Sequence, residues 1–396
     1  MFIQVSFWIC SLLVLYTYIG YPVLLFALTS LKRVFVKTEA VFFTEEELPH
    51  VSLVVACYNE ADILIDKMEN TLLLDYPAEK IQICFVTDGS DDHSTDIIGK
   101  YKTIKHFHKD ERKGKNAAIN RILPLISSPY IIFCDANTIL NKKAIINLVR
   151  HYKDPNVGAV AGEKRVLADD ATENAGAGEG AYWKYESQLK KWDSELHSVV
   201  GAAGELFSVR KDLMQAVPDG IIIEDFYLSV KVAMEGYQVR YEPEAYAMEA
   251  GSASIAEERK RKIRIAAGGL QAVGIFIGLL NFFRHGILSF QYISHRFLRW
   301  TLAPLSLLLL LVLNILLVVQ EVHFVYSILL IAQTLFYVAA LIGNYLELRG
   351  RSSKIFLIPF YFAFMNISVY QGFFRLITGS QSAVWEKSNR AKVTEH

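Results

Sequence analysis

Ile131-Ile132-Phe133-Cys134 is an apolar run that ends in Asp135-Ala136-Asn137, an acid and an amide two positions apart. Such a run reads as a buried parallel strand, and the carboxyl edge of an open α/β sheet is where ligands bind. Both side chains offer oxygen to a hard divalent cation, which would offset charge developing on a diphosphate leaving group. The segment alone is equally a strand end followed by a helix N-cap at Asn137 or Thr138. Two other strand ends carry the same chemistry: Ala56-Cys57-Tyr58-Asn59-Glu60 and Thr87-Asp88-Gly89-Ser90-Asp91-Asp92. Three acidic strand ends side by side would repel one another unless cations or hydrogen-bonding ligands intervene. Gly89 suits a tight turn that lets backbone approach a ligand. Between the second and third ends, Arg112-Lys113-Gly114-Lys115-Asn116 opens a helix with positive charge, suited to phosphate or simply to solvent. Further on, Ile221-Ile222-Ile223 reads as a short strand delivering Glu224-Asp225 to the start of a helix over Phe226 to Glu235. By itself that pair is an N-terminal cap with negative charge in the first turn.

The elements that hold these residues alternate. Strands are expected over 51–56, 81–87, 130–134 and 157–163, with helices over 61–73, from Ser94, over 116–125 and over 142–152. This order implies a mainly parallel sheet with helices on both faces. The Gly- and Ala-rich stretch 174–181 reads as a mobile loop, and no internal repeat is visible.

Around this soluble composition lie charge-free blocks at 1–31, 301–320, 324–346 and 355–374, each long enough for a span of about 20 helical residues. The first reads as a retained anchor rather than a cleaved signal. Ile265 to Phe283 is also uncharged but holds four glycines, and reads as a helix lying at the interface. The resulting organisation is an anchor over 1–31, a cytoplasmic domain over 32–264, interfacial helices over 265–299, transmembrane helices over 300–378 and a tail over 379–396. Lys32, Arg33 and Lys37 after the first span, with Arg296 and Arg299 before the second, put the domain in the cytoplasm of a cell-membrane protein. Three later spans would leave the tail at Trp385 to Arg390 outside, against its positive charge. Lys+Arg and Asp+Glu are equal at 41 each in 396 residues, so no global field points to nucleic acid. Cys57, Cys84 and Cys134 sit in apparent strands without metal spacing and read as small core residues.

Taken together, the Tyr58-Asn59-Glu60 turn, Thr87-Asp88-Gly89-Ser90, Arg112 to Asn116, Asp135-Ala136-Asn137, Tyr182-Trp183-Lys184-Tyr185-Glu186, Gly201 to Gly204, Ile223-Glu224-Asp225 and Arg261-Lys262-Ile263-Arg264 resemble, in order and spacing, the membrane-bound family 2 glycosyltransferases. The branch is that of cellulose, hyaluronan and poly-β-1,6-N-acetylglucosamine synthases. The resemblance implies a GT-A fold, a Rossmann-like nucleotide-diphospho-sugar transferase domain between transmembrane helices, and an inverting, metal-dependent transfer from a UDP-sugar to a glycan. It implies Asp88, Glu60 and Lys115 at the nucleotide, Asp135 with Asn137 on Mg2+ or Mn2+, and Asp225, beside Glu224, as general base. Arg261 and Arg264 would contact the diphosphate, and Gly201 to Gly204 would floor the acceptor site. Asn137 departs from the family's acid, and Ile265 stands where the family has a stacking Trp, which bears on processivity. Tyr182, Trp183 and Tyr185 read as core aromatics. The implied product is an exopolysaccharide or capsule, with export partners; transfer of one sugar to a glycolipid or polyprenyl-phosphate acceptor is the alternative. A non-enzymatic membrane protein would lack the base or the metal acid, and this chain has both.

Overall fold

The computed structural model describes residues 1–36, 43–167, 173–351 and 353–382; Lys37 and the tail segment 385–390 lie outside them. Eight strands form one sheet: β1 Val51–Cys57, β2 Ile81–Asp88, β3 Lys105–Lys109, β4 Tyr130–Asp135, β5 Ile139–Leu140, β6 Val157–Leu167, β7 Leu206–Arg210 and β8 Gln238–Ala250. Their order is β3-β2-β1-β4-β7-β6-β8-β5. The first four neighbours run parallel, as expected. The sheet is nevertheless mixed, because β7 inserts antiparallel between β4 and β6, and β5 pairs antiparallel with β8. β7 is five apolar-rich residues after a glycine turn, too short for its direction to show in a pattern of alternation.

Successive residues of a strand face opposite sides of the sheet. Val54, Ile131 and Phe133 pack in one core with Ala118, Ile119 and Ile122 of helix Lys115–Ile122 and with Phe226 and Val230 of helix Glu224–Met234. Val55, Ile132 and Cys134 pack in the other core with Leu64, Met68, Ile145 and Leu148. All four cysteines are buried and free, Cys57, Cys84 and Cys134 as the core reading expects.

Two local expectations change. The stretch 174–181 belongs to helix Glu173–Leu196 rather than to a loop; its small residues open a helix continued by the amphipathic run that follows. Ile221 to Ile223 form no strand: three β-branched residues suggest one, but no strand edge lies beside them. Side chains satisfy that backbone instead, with Asn116 donating to the Ile221 carbonyl, Arg264 to the Ile222 carbonyl, and the Ile222 amide donating to Gln271.

Four helices are long and apolar enough to cross a membrane: Phe2–Phe35, Leu302–Val319, Phe324–Leu348 and Lys354–Ile377. The uncharged block after Arg264 is not one of them. Its first half completes helix Ile255–Ile275, and its second half breaks into short turns through Trp300. The cations flanking the spans are engaged within the protein. Lys32 caps helix Glu173–Leu196 through the Glu195 and Leu196 carbonyls, and Arg296 and Arg299 pair with Glu186 of that helix.

Candidate active site

β1, β2 and β4 end level with one another, Cys57 opposite Thr87 and Ala56 opposite Asp135. Asp88 and Asp135 continue the alternation of Val86 and Phe133, so both emerge on the face covered by helix Lys115–Ile122. Asp88 accepts from the Lys113 and Gly114 amides at 2.7 and 2.6 Å and from Arg121 at 3.1 Å. It thereby pins the turn whose Gly114, at φ 93°, precedes that helix. Beside it lies a small hollow of about 20 Å³ bordered by Tyr58, Asp88, Arg112 and Lys115, with the Arg112 guanidinium 3.7 Å above the Tyr58 ring. Gly89 takes the positive φ, 68°, that the tight turn needs, and it also makes room for Arg112, since a Cβ there would stand 2.5 Å from that of Arg112.

Lys115 opens its helix with the ammonium 2.7 Å from Asp135 and 2.7 Å from Glu224. Burial works against its charge, but the two carboxylates outweigh burial and hold its pKa well above the ordinary lysine range. Burial likewise disfavours ionised Glu224, and Lys115 with Arg264 overcomes it, holding Glu224 below its usual value. Asp225, the next residue of the same helical turn, has no salt-bridge partner among the described residues. Burial first, then the Glu224 charge, pushes it up to about 7, while Lys115 pulls the other way. Two adjacent carboxyls are thus driven apart, one ionised and one near neutrality, as acid–base pairs in enzymes are. Gly204 faces both Asp225 and Lys115, since a Cβ on it would lie 3.5 Å from Asp225 Oδ2 and 3.5 Å from Lys115 Nζ.

Asn137 lies beyond Asp135 with its side-chain oxygen buried and without a hydrogen-bond donor. An orphaned amide oxygen next to a carboxylate fits a hard divalent cation, although no cluster of three acidic, His or Cys ligands occurs among the described residues. Arg264 donates to the Ile222 carbonyl and keeps a buried Nε without an acceptor. Arg261 is held by Glu249 and Glu258. Of the residues read from the sequence, Lys115, Asp135, Asn137, Glu224, Asp225, Arg261 and Arg264 border one chamber of about 1070 Å³. Asp88 borders the hollow instead. Glu60 borders neither; its carbonyl caps helix Leu64–Leu72.

The chamber runs from these carboxylates to Tyr18 of the first apolar helix and to Tyr361, Phe362 and Met365 of the last. Tyr182, Trp183 and Tyr185 line it, while Tyr182 also packs against the Phe360–Phe364 cluster and Tyr185 against the Tyr21–Leu189 cluster, so the core reading holds for one side of those two rings. Glu186, the last residue of the Tyr182–Glu186 motif, also lines it, as do Glu205 and Lys190, to which the sequence assigned no role. Glu186, Lys190 and Asp193 recur at helical spacing, a polar stripe that marks one face of helix Glu173–Leu196 and was the available signal. Asp193 is completely buried, bound to Tyr21, Gln291 and His295, which ties the first apolar helix to the sheet domain.

Residues 52–217 match the family model for glycosyl transferase family 2. Over 236 residues the chain is 30% identical to a poly-beta-1,6-N-acetyl-D-glucosamine synthase of Staphylococcus aureus (strain MSSA476), covering 57% of this chain and 55% of that one. It is 26% identical over 234 residues to the synthase of the same name from Staphylococcus epidermidis, with the same coverage. The chain therefore spans about half the length of the curated relatives it matches. In three dimensions it aligns with a mannosyltransferase from Pyrobaculum calidifontis, solved with GDP-Man and Mn2+, at a TM-score of 0.69 and 19% identity, covering 93% of this chain and 98% of that chain. At that identity the likeness is one of fold, and it agrees with the GT-A expectation.

Proposed function

We propose that the chain, whose residues 52–217 match the family model for glycosyl transferase family 2, moves a sugar from a nucleotide diphosphate, a UDP-sugar, to an acceptor hydroxyl held in the chamber. The observation that carries this reading is the split between Glu224, neutralised by Lys115, and Asp225, raised to about 7 and facing the same space. A carboxyl so placed can take a proton near neutral pH. The acceptor O–H gives its proton to Asp225, and the acceptor oxygen bonds to the anomeric carbon. The bond from that carbon to the diphosphate oxygen breaks, and the diphosphate leaves with the electron pair. A single displacement inverts the centre, so an α-linked donor gives a β-linked product.

The other residues bind and orient. Tyr58, Asp88 and the Lys113–Gly114 turn offer a seat for the nucleotide. Arg264, with a spare Nε, suits the oxygens of the leaving diphosphate, which a guanidinium forks onto. Arg261, closer to Glu249 and Glu258, would support that helix more than the ligand. Asp135 and Asn137 would hold Mg2+ or Mn2+, which when bound offsets the charge developing on the diphosphate. Gly204 leaves room for the acceptor against the Asp225 carboxylate. The relatives' name, poly-beta-1,6-N-acetyl-D-glucosamine synthase, supports a glycan acceptor and a β-linked polysaccharide product; an exopolysaccharide or capsule destination, export partners and a sheet domain on the cytoplasmic side of the cell membrane complete the proposal, the last from the cations that flank the apolar helices.

The test is release of UDP by detergent-purified protein across a panel of UDP-sugars with Mn2+ or Mg2+, with the product sized by chromatography. Turnover of one donor into a long product supports the reading; a lipid-sized product replaces the glycan acceptor with a membrane lipid. Turnover undiminished in Asp225→Asn would remove Asp225 from the mechanism.

A further inference from the structure

The turn that presents Asp135 and Asn137 has a second face, and a buried lysine holds it. Asp135 and Asn137 border the chamber, whereas Ala136 and Thr138, which follow each of them, are 1% and 0% exposed. The Thr138 hydroxyl closes the turn by donating to the Asp135 carbonyl at 2.8 Å. Lys67 of helix Leu64–Leu72 reaches the same residue from the core side, its ammonium donating to the Thr138 carbonyl at 2.6 Å and to the Thr138 hydroxyl at 3.2 Å. That hydroxyl has one proton to give and gives it to Asp135, so it accepts from Lys67, and an unbroken path runs from the ammonium to the backbone of the acid. Asn70, three positions along the same helix face, grips the next stretch of chain. It donates to the Leu140 carbonyl at 2.8 Å and accepts from the Leu140 amide at 2.9 Å.

Lys67 is 1% exposed, and among the described residues no carboxylate is in salt-bridge contact with it. An ammonium buried without a countercharge is costly. Its neighbours Leu64 and Met68 pack into the core, so an apolar side chain at position 67 would fill the space without that cost. What the ammonium supplies and an apolar side chain does not is a set of donors aimed at a turn that offers acceptors. It holds the carbonyl and the hydroxyl of Thr138 in one arrangement, and with them the direction in which the Asp135 carboxylate and the orphaned Asn137 oxygen leave the turn. Metal ligands depend on such partners: a group that orients a ligand from behind counts for nearly as much affinity as the ligand.

We propose that Lys67 is a positioning residue for the divalent ion, which through Thr138 fixes the turn from which Asp135 and Asn137 reach a single cation. This rests on those two side chains holding the ion, as proposed above.

The test measures UDP affinity by calorimetry at rising Mn2+ on detergent-solubilised full-length protein. It yields two quantities, the Mn2+ concentration at which the affinity is half-way to its plateau, and the plateau itself. Wild type, Lys67→Met, Thr138→Val and the double variant are compared, with the thermal midpoint of each verifying that it is folded. Lys67→Met and Thr138→Val should each raise the half-way concentration about ten- to a hundredfold and leave the plateau within a few-fold, because the nucleotide seat is untouched. The double variant should shift no further than the larger single shift, since both cut one path. Thr138→Val decides alone where Lys67→Met does not fold, because it cuts the path and leaves the ammonium its carbonyl acceptor. An unchanged half-way concentration overturns the proposal, as do shifts that multiply in the double variant. A lowered plateau without a shift also overturns it, because Lys67 then supports the fold at large and not the ion. UDP affinity in wild type that does not respond to Mn2+ would sink the metal reading of Asp135 and Asn137 itself, and this proposal with it.

Discussion

Replacing Asp225 by Asn should abolish transfer and stabilise the protein above neutral pH, and the second effect can be worked from the site. The carboxyl moves from an ordinary value of 3.8 to about 7 in the fold. Roughly three pH units at about 1.4 kcal/mol each put the cost of ionising it in place at about 4 kcal/mol. The sign follows from its direction. A carboxyl raised on folding contributes stability that is whole below the unfolded value near 3.8 and is lost as pH rises through about 7. Asparagine removes that loss, so the advantage of Asp225→Asn over wild type grows from about pH 4 to about pH 7 and is level above it. Part of the gain is returned, because the amide needs partners that the protonated carboxyl did not and Lys115 loses a nearby negative charge. The net expected is about 2 kcal/mol, or about 4 °C in the unfolding midpoint. Thermal unfolding of both proteins in detergent at pH 5, 6, 7 and 8 reads this directly, alongside UDP release. A midpoint difference that does not change with pH, or a variant less stable than wild type at pH 8, would show that Asp225 is not held near neutrality.

Two further substitutions probe the same space. Gly204→Ala places a methyl 3.5 Å from both Asp225 Oδ2 and Lys115 Nζ, ordinary contact distances that the fold tolerates; the midpoint should hold while transfer falls by about tenfold or more, since the acceptor oxygen needs that room, and unchanged kinetics would take Gly204 out of the acceptor floor. Asn137→Asp replaces a neutral ligand with a charged one, so the Mn2+ concentration for half-maximal UDP release should fall about tenfold; no change would exclude position 137 from the metal.

Much of this architecture was legible because local pattern and tertiary role coincide in it. The parallel strands β1, β2 and β4 are continuous apolar runs, and their acidic ends stand at one edge because equal strands in register must end together. Lys115, Asp135, Glu224 and Asp225 could therefore be read from spacing and resemblance. What could not be read depended on partners far along the chain. Isoleucines 221 to 223 have the composition of a strand, but Asn116, Arg264 and Gln271 capture their backbone as a loop. Tyr182 and Trp183 have the spacing of core residues, and only the later helices leave a space in front of them. Nor does any local feature separate Glu224 from Asp225; the distinction is made by which of the two Lys115 reaches.

The chamber draws its wall from Tyr18 near one end of the described chain to Ser382 at the other. Its far side rests on the close crossing of helix Lys354–Ile377 over helix Ile255–Ile275, where a Cβ on Gly372 would stand 2.7 Å from the Ala267 nitrogen. A ribosome delivers these pieces in order, so the carboxylates are in place long before the last helix closes the space in front of them. Until that helix docks, the candidate catalytic edge is an open cleft in contact with water, where a bound donor would meet solvent as readily as an acceptor. Competence for transfer is thereby deferred until helix Lys354–Ile377 has docked, and a chain in which it has not is expected to expose a bound donor to water rather than pass its sugar on.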